Sequence, residues 1–188
     1  IDAWGPVAIT RSSLINNQAN TSNSGGALDG YGSLSNCTIA GNVGYRAIYG
    51  GENIWSTTVA GNTGGGVDTA LAAIGNSILP DNTGLDAVGK FTSAGYNLIS
   101  KGNAAIGFIG VGDQVGATNQ PLSANLLPLG FNGGSTPTRP PQSNSLAIDQ
   151  GKSFGLTNDQ RGRVRPSTNS TPSIPFGGDH RDIGAVEI

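Results

Sequence analysis

Aliphatic residues recur along this chain at fixed offsets from four asparagines. Asn17, Asn42, Asn62 and Asn82 follow one another at spacings of 25, 20 and 20 residues. Three positions before each stands Leu14, Ile39, Val59 or Leu79, and eight before stands Ile9, Leu34, Ile54 or Ile74. Five before comes a small residue: Ser12, Cys37, Thr57 or Ser77. Matching columns at a period near 20 mark a solenoid, in which each repeat buries its apolar face only by stacking on its neighbours.

Within one repeat the pattern reads as three short strands. Leu34 points inward, and Asn36 turns the chain because Asn enters the left-handed region at low cost. Cys37 and Ile39 then point inward on strand alternation. Asn42 makes the second turn, and Ala47 and Ile48 open the third strand. The next repeat runs Ile54, Ser56, Thr57, Val59, Asn62, Val67 in the same roles. This predicts an all-β fold, a right-handed parallel β-helix of about five coils stacked at roughly 4.8 Å. Residues 1–118 form the coils and 119–188 an irregular C-terminal capping region continuous with them. The asparagine columns are expected to form amide ladders. A leucine-rich repeat is disfavoured, since its leucine framework and helical segment are missing.

Composition narrows the function classes. Net charge is −2 and only 12% of residues are charged, which gives no electrostatic basis for binding nucleic acid or an anionic membrane. No apolar run reaches the length of a membrane span. The single cysteine, Cys37, falls on an inward column and reads as a buried small hydrophobe. The chain has no Met and opens at Ile1 inside repeat-like sequence, which suggests a processed product or part of a longer chain. The opening IDAWGP is a thin cap, so either Trp4 folds over the first coil or further coils precede it.

Beyond residue 90 the repeat fades into the turn-rich and Pro-rich NGGSTPTRPPQ (132–142), and six of the ten Lys and Arg lie past residue 138. The strings NGGSTPT (132–138), SLAIDQG (145–151), NDQRGRVRP (158–166) and DIGAVEI (182–188), with GYNLIS (95–100), resemble the terminal region of bacterial choice-of-anchor Q domain surface proteins. The coils resemble polymorphic outer-membrane protein repeats, with GGAL (25–28) in place of their GGA[ILV]. Arg139, Leu146 and an insertion over 167–180 depart from the pattern. The resemblance implies a secreted right-handed β-helix displayed at the cell surface, and it implies no established catalytic residues.

Asp149, Asp159, Arg161 and Asp182 in these motifs are expected to be scaffolding. Their carboxylates would bond backbone amides and Arg forks and so close the open end of the solenoid. His180, the only His, has just Asp179 and Asp182 beside it in sequence, which does not favour zinc. No cofactor is predicted; carboxylates and carbonyls leave calcium open.

Two constellations on the coils carry chemistry. Asp29 and Asp68 each follow a third-strand aliphatic, two coils apart, with Tyr49 at the matching place between. Their backbones should lie roughly 10 Å apart, near the upper end of the carboxyl separation in inverting glycosidases. They are the catalytic pair if the protein is an enzyme, although no catalytic His or third acid stands beside them. Trp55 lies between inward Ile54 and turn Ser56 and so points outward, flanked by Ser35 and Gly75. With Tyr45, Tyr49 and Tyr31 on the same or the next face, it could stack on a sugar ring. The competing possibility is that loop 18–24 packs over it. Glycosylation patterns occur at Asn20, Asn36 and Asn169.

The sequence therefore predicts a non-enzymatic extracellular or cell-surface module, structural or adhesive, whose partner is an extracellular glycan or a cell-surface molecule. The alternatives are a carbohydrate-active enzyme, lyase or hydrolase, and a fibre subunit built by end-to-end self-association.

Overall fold

The computed structural model describes residues 1–165 and 173–188. The glycosylation pattern at Asn169 and part of the 167–180 insertion lie outside the described residues. Thirteen strands form among those described. In chain order they are β1 (Asp2–Thr10), β2 (Ser13–Ile15), β3 (Gly25–Ser35), β4 (Thr38–Ala40), β5 (Arg46–Gly50), β6 (Asn53–Trp55) and β7 (Thr58–Ala60). Then follow β8 (Val67–Gly75), β9 (Ile78–Leu79), β10 (Ala87–Gly95), β11 (Leu98–Ile99), β12 (Ala104–Ile106) and β13 (Gln114–Val115). There is no helix among the described residues, and every paired strand is parallel to its neighbour. The chain is a β-solenoid of about five turns.

One sheet stacks the short strands in the order β2-β4-β7-β9-β11-β13; the other runs β1-β3-β5-β8-β10-β12, with β6 between β3 and β8. The expectation of three short strands per coil needs correction. The third strand of one coil runs unbroken into the first strand of the next in β3, β8 and β10. Register shifts let these long strands bend without losing the ladder. Only at Gly50 and Gly51, both at positive φ, does the strand break into β5 and β6.

The columns are what the spacing implies. Leu14, Ile39, Val59 and Leu79 are buried and stack in register, and Ile99 extends the column. Leu34, Ile54 and Ile74 form a second buried column, and Leu28, Ile48, Val67 and Ala87 a third. Ile9 heads the second column but is only half-buried, because it sits on the outermost described coil. Cys37 is fully buried and desolvation raises its thiol pKa, as an inert core position requires.

The first corner is a column of left-handed residues: Arg11, Asn36, Ser56, Asn76 and Tyr96. The N–H of each of these donates to a carbonyl of the following coil at 3.0–3.1 Å, or 2.9 Å for Tyr96. That backbone ladder holds even Arg, Ser and Tyr in a conformation they disfavour. At the second corner the left-handed residues are Asn16, Gly41, Gly61 and Asp81, one before each column Asn. The expectation that Asn42 itself makes this turn is thus corrected. Asn42, Asn62 and Asn82 instead turn their amides into the stack and are buried. Asn42 donates its backbone N–H and its Nδ2–H to Asn62 Oδ1, and Asn62 does the same to Asn82 Oδ1, all at 2.9–3.0 Å.

The C-terminal region does not sit on the end of the solenoid, as the sequence reading expected; it runs along its flank. The outward-facing residues of the short-strand sheet, Thr38, Thr58, Ile78 and Leu98, are all buried. Ile78 and Leu98 pack in one cluster with Ala124, Leu126, Ala147 and Ile183. Polar contacts continue the contact toward the first coil. Thr38 donates to Gln160 Oε1 at 2.6 Å, Gln160 Nε2 donates to Ser13 Oγ at 2.9 Å, and the Ala185 amide donates to Thr58 Oγ1 at 3.2 Å. At the far coil, Gln114 Nε2 donates to the Leu146 carbonyl at 3.0 Å. The region is a lateral brace, because the apolar surface that needs cover is the outer face of the short sheet. The last coil is closed from within, where Phe108 stacks on Phe91 at 4.8 Å between centroids. At the first coil Trp4 is 91% exposed, so it does not fold over the core.

The scaffolding role expected of the brace carboxylates is realised by two of the three. Buried Asp159 accepts from the amides of Arg161, Arg163 and Glu187 and pairs with the Arg161 guanidinium at 2.9 Å. Buried Asp182 accepts from the amides of Asp149 and Ile188 at 2.9 and 2.8 Å. Asp149 departs from the expectation: both carboxyl oxygens are buried without a hydrogen-bond partner among the described residues, and burial raises its pKa. Arg165, fully enclosed, pairs with Glu187 at 2.9 Å and also reaches Asn36 Oδ1 on the coils at 3.3 Å. Asn36 is thereby committed to structure, its Nδ2 donating to the Asn158 carbonyl at 2.9 Å.

Candidate functional site

Strand pairing decides which surface residues share a column. Asp29 on β3 is in register with Tyr49 on β5, and Tyr49 with Asp68 on β8. The alignment expected from the sequence is therefore present. The column also extends one coil further, since Asp2 on β1 pairs with Asp29. The four side chains, three carboxylates and one phenol, stand on successive coils, about one strand spacing of ~4.8 Å apart.

A hollow of about 500 Å³ opens over this column. Asp29, Tyr49 and Asp68 line it with Tyr31, Leu71 and the glycines at 30, 50 and 51. Its floor is backbone. At Gly50, with φ of 97°, a Cβ would lie 2.5 Å from the Gly30 carbonyl oxygen, so neither conformation nor space allows a side chain there. Tyr49 and Tyr31 are exposed at 37% and 59%, leaving ring surface available to a ligand. A second hollow of about 340 Å³, lined by Asp2, Asn17, Gln18 and Gly25 among others, shares Asp29 with the first. The first crosses three successive coils, and the second joins it at Asp29 to extend the groove.

Two devices set the charge of the groove. Arg46 Nε lies 3.5 Å from Asp68 Oδ2, while its Nη1 donates to the Gly64 carbonyl at 2.7 Å and its guanidinium covers the Tyr45 ring at 4.4 Å. Tyr45 in turn meets Tyr49 edge-on at 5.8 Å. Arg46 is therefore clamped, and Asp68 has its counter-charge. Asp29 has none. Its Oδ2 accepts only from the Gly25 amide, at 3.2 Å, and it enters no ion pair among the described residues.

Trp55 belongs elsewhere. It stacks in register between Ser35 and Gly75, as expected, with its ring lying across Gly75. Its cover is Phe154 of the brace, 5.1 Å away and edge-on, rather than loop 18–24. Gln18, Ala19 and Ser24 of that loop border the Asp29 groove instead. Trp55, Phe154, Leu156 and Ser35 line a separate hollow of about 290 Å³. Tyr45 and Tyr49 thus share one site, and Trp55 lines another. No group of three His, Cys, Asp or Glu side chains converges on a metal-binding geometry among the described residues.

Asp2 and Leu71 are parts of this site that the sequence pattern does not single out. The first coil is longer than the others, so Asp2 sits 27 residues before Asp29 and escapes a 20-residue period. Phe154 lies 99 residues beyond Trp55 and left no local signal. No protein-family profile, curated protein or solved structure matches the chain.

Proposed function

We propose that the protein is an extracellular or cell-surface β-helix module that binds a carbohydrate chain, without chemistry, in the groove around Tyr49. The observation that supports this most is the column itself: an exposed aromatic ring flanked in register by carboxylates, over a glycine floor. A sugar ring presents an apolar face to the phenol ring while its hydroxyls meet acceptors at the rim. The resemblance of the terminal motifs to surface proteins supports the extracellular setting. A rigid rod braced along one side suits display of the opposite, grooved surface.

The test is a glycan array probed with the wild type and with Tyr49→Ala. Retained glycans whose signal falls about ten-fold or more in the variant support the reading. Binding that is unchanged by Tyr49→Ala but lost in Trp55→Ala moves the site to the Phe154 hollow. A reducing-end assay beside it addresses the enzymatic alternative: release of sugar ends that stops in Asp68→Asn, with the fold intact, replaces the binding module with a hydrolase.

A further inference from the structure

The carbohydrate reading leaves open which class of sugar the groove takes, and its electrostatics bear on that choice. Asp2, Asp29 and Asp68 contribute three carboxylates along one column. No Lys, Arg or His lines the main hollow. The Arg46 guanidinium is spent on Asp68 and on the Gly64 carbonyl, and the Ile1 ammonium bordering the second hollow donates to the Ala27 carbonyl. What remains is Asp29, unpaired, at the junction of the two hollows and next to the open ring of Tyr49.

A carboxylate beside an aromatic face is the arrangement that recognises an ammonium group, by ion pairing on one side and ring-quadrupole attraction on the other. An acidic polymer such as a uronate chain would instead bring like charge against Asp29, at a cost in the partly desolvated groove. We infer that the groove binds a chain of basic amino sugars, of the β-linked glucosamine type, with an ammonium at Asp29 and a pyranose face on Tyr49; the inference rests on the carbohydrate reading above. A lysine-rich peptide carries the same charge. The sugar fits better, because the rings of Tyr49 and Tyr31 line one hollow over a glycine floor, a flat apolar surface that a pyranose face covers and a flexible lysine stem does not need.

Isothermal titration of the whole chain with a glucosamine oligomer, its fully N-acetylated counterpart, a neutral glucose oligomer, an oligogalacturonate and an oligolysine of matched charge decides the matter. The glucosamine oligomer should bind about five- to ten-fold tighter than its acetylated form, and Asp29→Asn should remove that preference. Wild-type affinity should also fall as salt is raised and as pH approaches the amino-sugar pKa, a readout that needs no variant. Equal binding of the acetylated or neutral oligomer overturns the inference and leaves the carbohydrate reading standing. Tighter binding of oligolysine overturns it in favour of a peptide partner. Tighter binding of the oligogalacturonate overturns the charge argument, and binding of none of the sugars overturns both readings.

Discussion

Asp86 ends the asparagine ladder by imitating an asparagine that cannot donate. Asn82 gives it both its backbone N–H, at 3.1 Å, and its Nδ2–H, at 2.7 Å, on the single oxygen Oδ1, the bonding that each column Asn receives from the coil before it. The other oxygen accepts the Lys101 amide at 2.8 Å. A carboxylate has acceptors only, so the chain of donations stops there. The same device ends the neighbouring column, where Asp113 Oδ1 takes the amide and the Nδ2 of Asn97 at 3.1 and 2.9 Å. The ladder has a direction, and both of its described C-terminal ends are finished with Asp.

Asp86→Ala should therefore be costly for an exchange that removes no apolar contact. It strands three donors inside the fold, at an expected cost of about 3 kcal/mol or more. Asp86→Asn should cost less, since its Oδ1 can still receive Asn82 while its amide meets the Lys101 N–H donor to donor. Urea midpoints of the two variants check the order; equal midpoints would show that the ladder needs no acceptor-only end.

The aliphatic columns predict a failure of another kind. Val59 is fully buried between Ile39 and Leu79. Val59→Asp should lose more than about 4 kcal/mol and leave no cooperative transition, because an unpaired charge enters a dry stack. Circular dichroism melting reads this directly.

The brace should be indispensable, and for a lateral reason. Removing 140–188 uncovers Ile78, Leu98 and Thr58 along the solenoid side, so the truncated chain should aggregate. A milder probe is Glu187→Ala, which leaves Arg165 enclosed without its 2.9 Å partner. That change should cost about 3–5 kcal/mol in chemical denaturation. A soluble, equally stable truncation would make the brace an appendage.

Stability should also respond to pH through Asp182. Burial pushes its carboxyl up to about 6, against the pull of the Asp149 and Ile188 amides. A folded pKa above the unfolded value near 3.9 means that this group favours the fold while protonated. Its contribution, roughly 3 kcal/mol, is full below pH ~4 and is lost as pH rises through 6. Asp149 is shifted in the same direction by burial and adds to the trend. Melting temperatures from pH 4 to 8 should fall less steeply in Asp182→Asn than in the wild type; identical slopes would remove Asp182 from the linkage.

What the sequence determined by itself is the local part of the structure. A 20-residue period fixes which residues stack, because parallel in-register pairing carries every column from coil to coil. The buried Leu14, Ile39, Val59 and Leu79 column, the Asn ladder and the Asp29–Tyr49–Asp68 alignment all follow from counting. A trace of the brace was legible too. Ile78–Leu79 and Leu98–Ile99 are adjacent apolar pairs, and neighbouring strand residues face opposite ways, so one of each pair had to be covered from outside. Which segment covers it was decided only by the tertiary structure. The partners Ala124, Leu126, Ala147 and Ile183 lie 46 to 105 residues from Ile78, and no period links them. The same holds for Phe154 on Trp55 and for Arg165 between Glu187 and Asn36. Repeats encode contacts between equivalent positions, whereas a non-repeating segment finds its place by matching shape and hydrogen bonds to a surface that exists only once the coils have stacked.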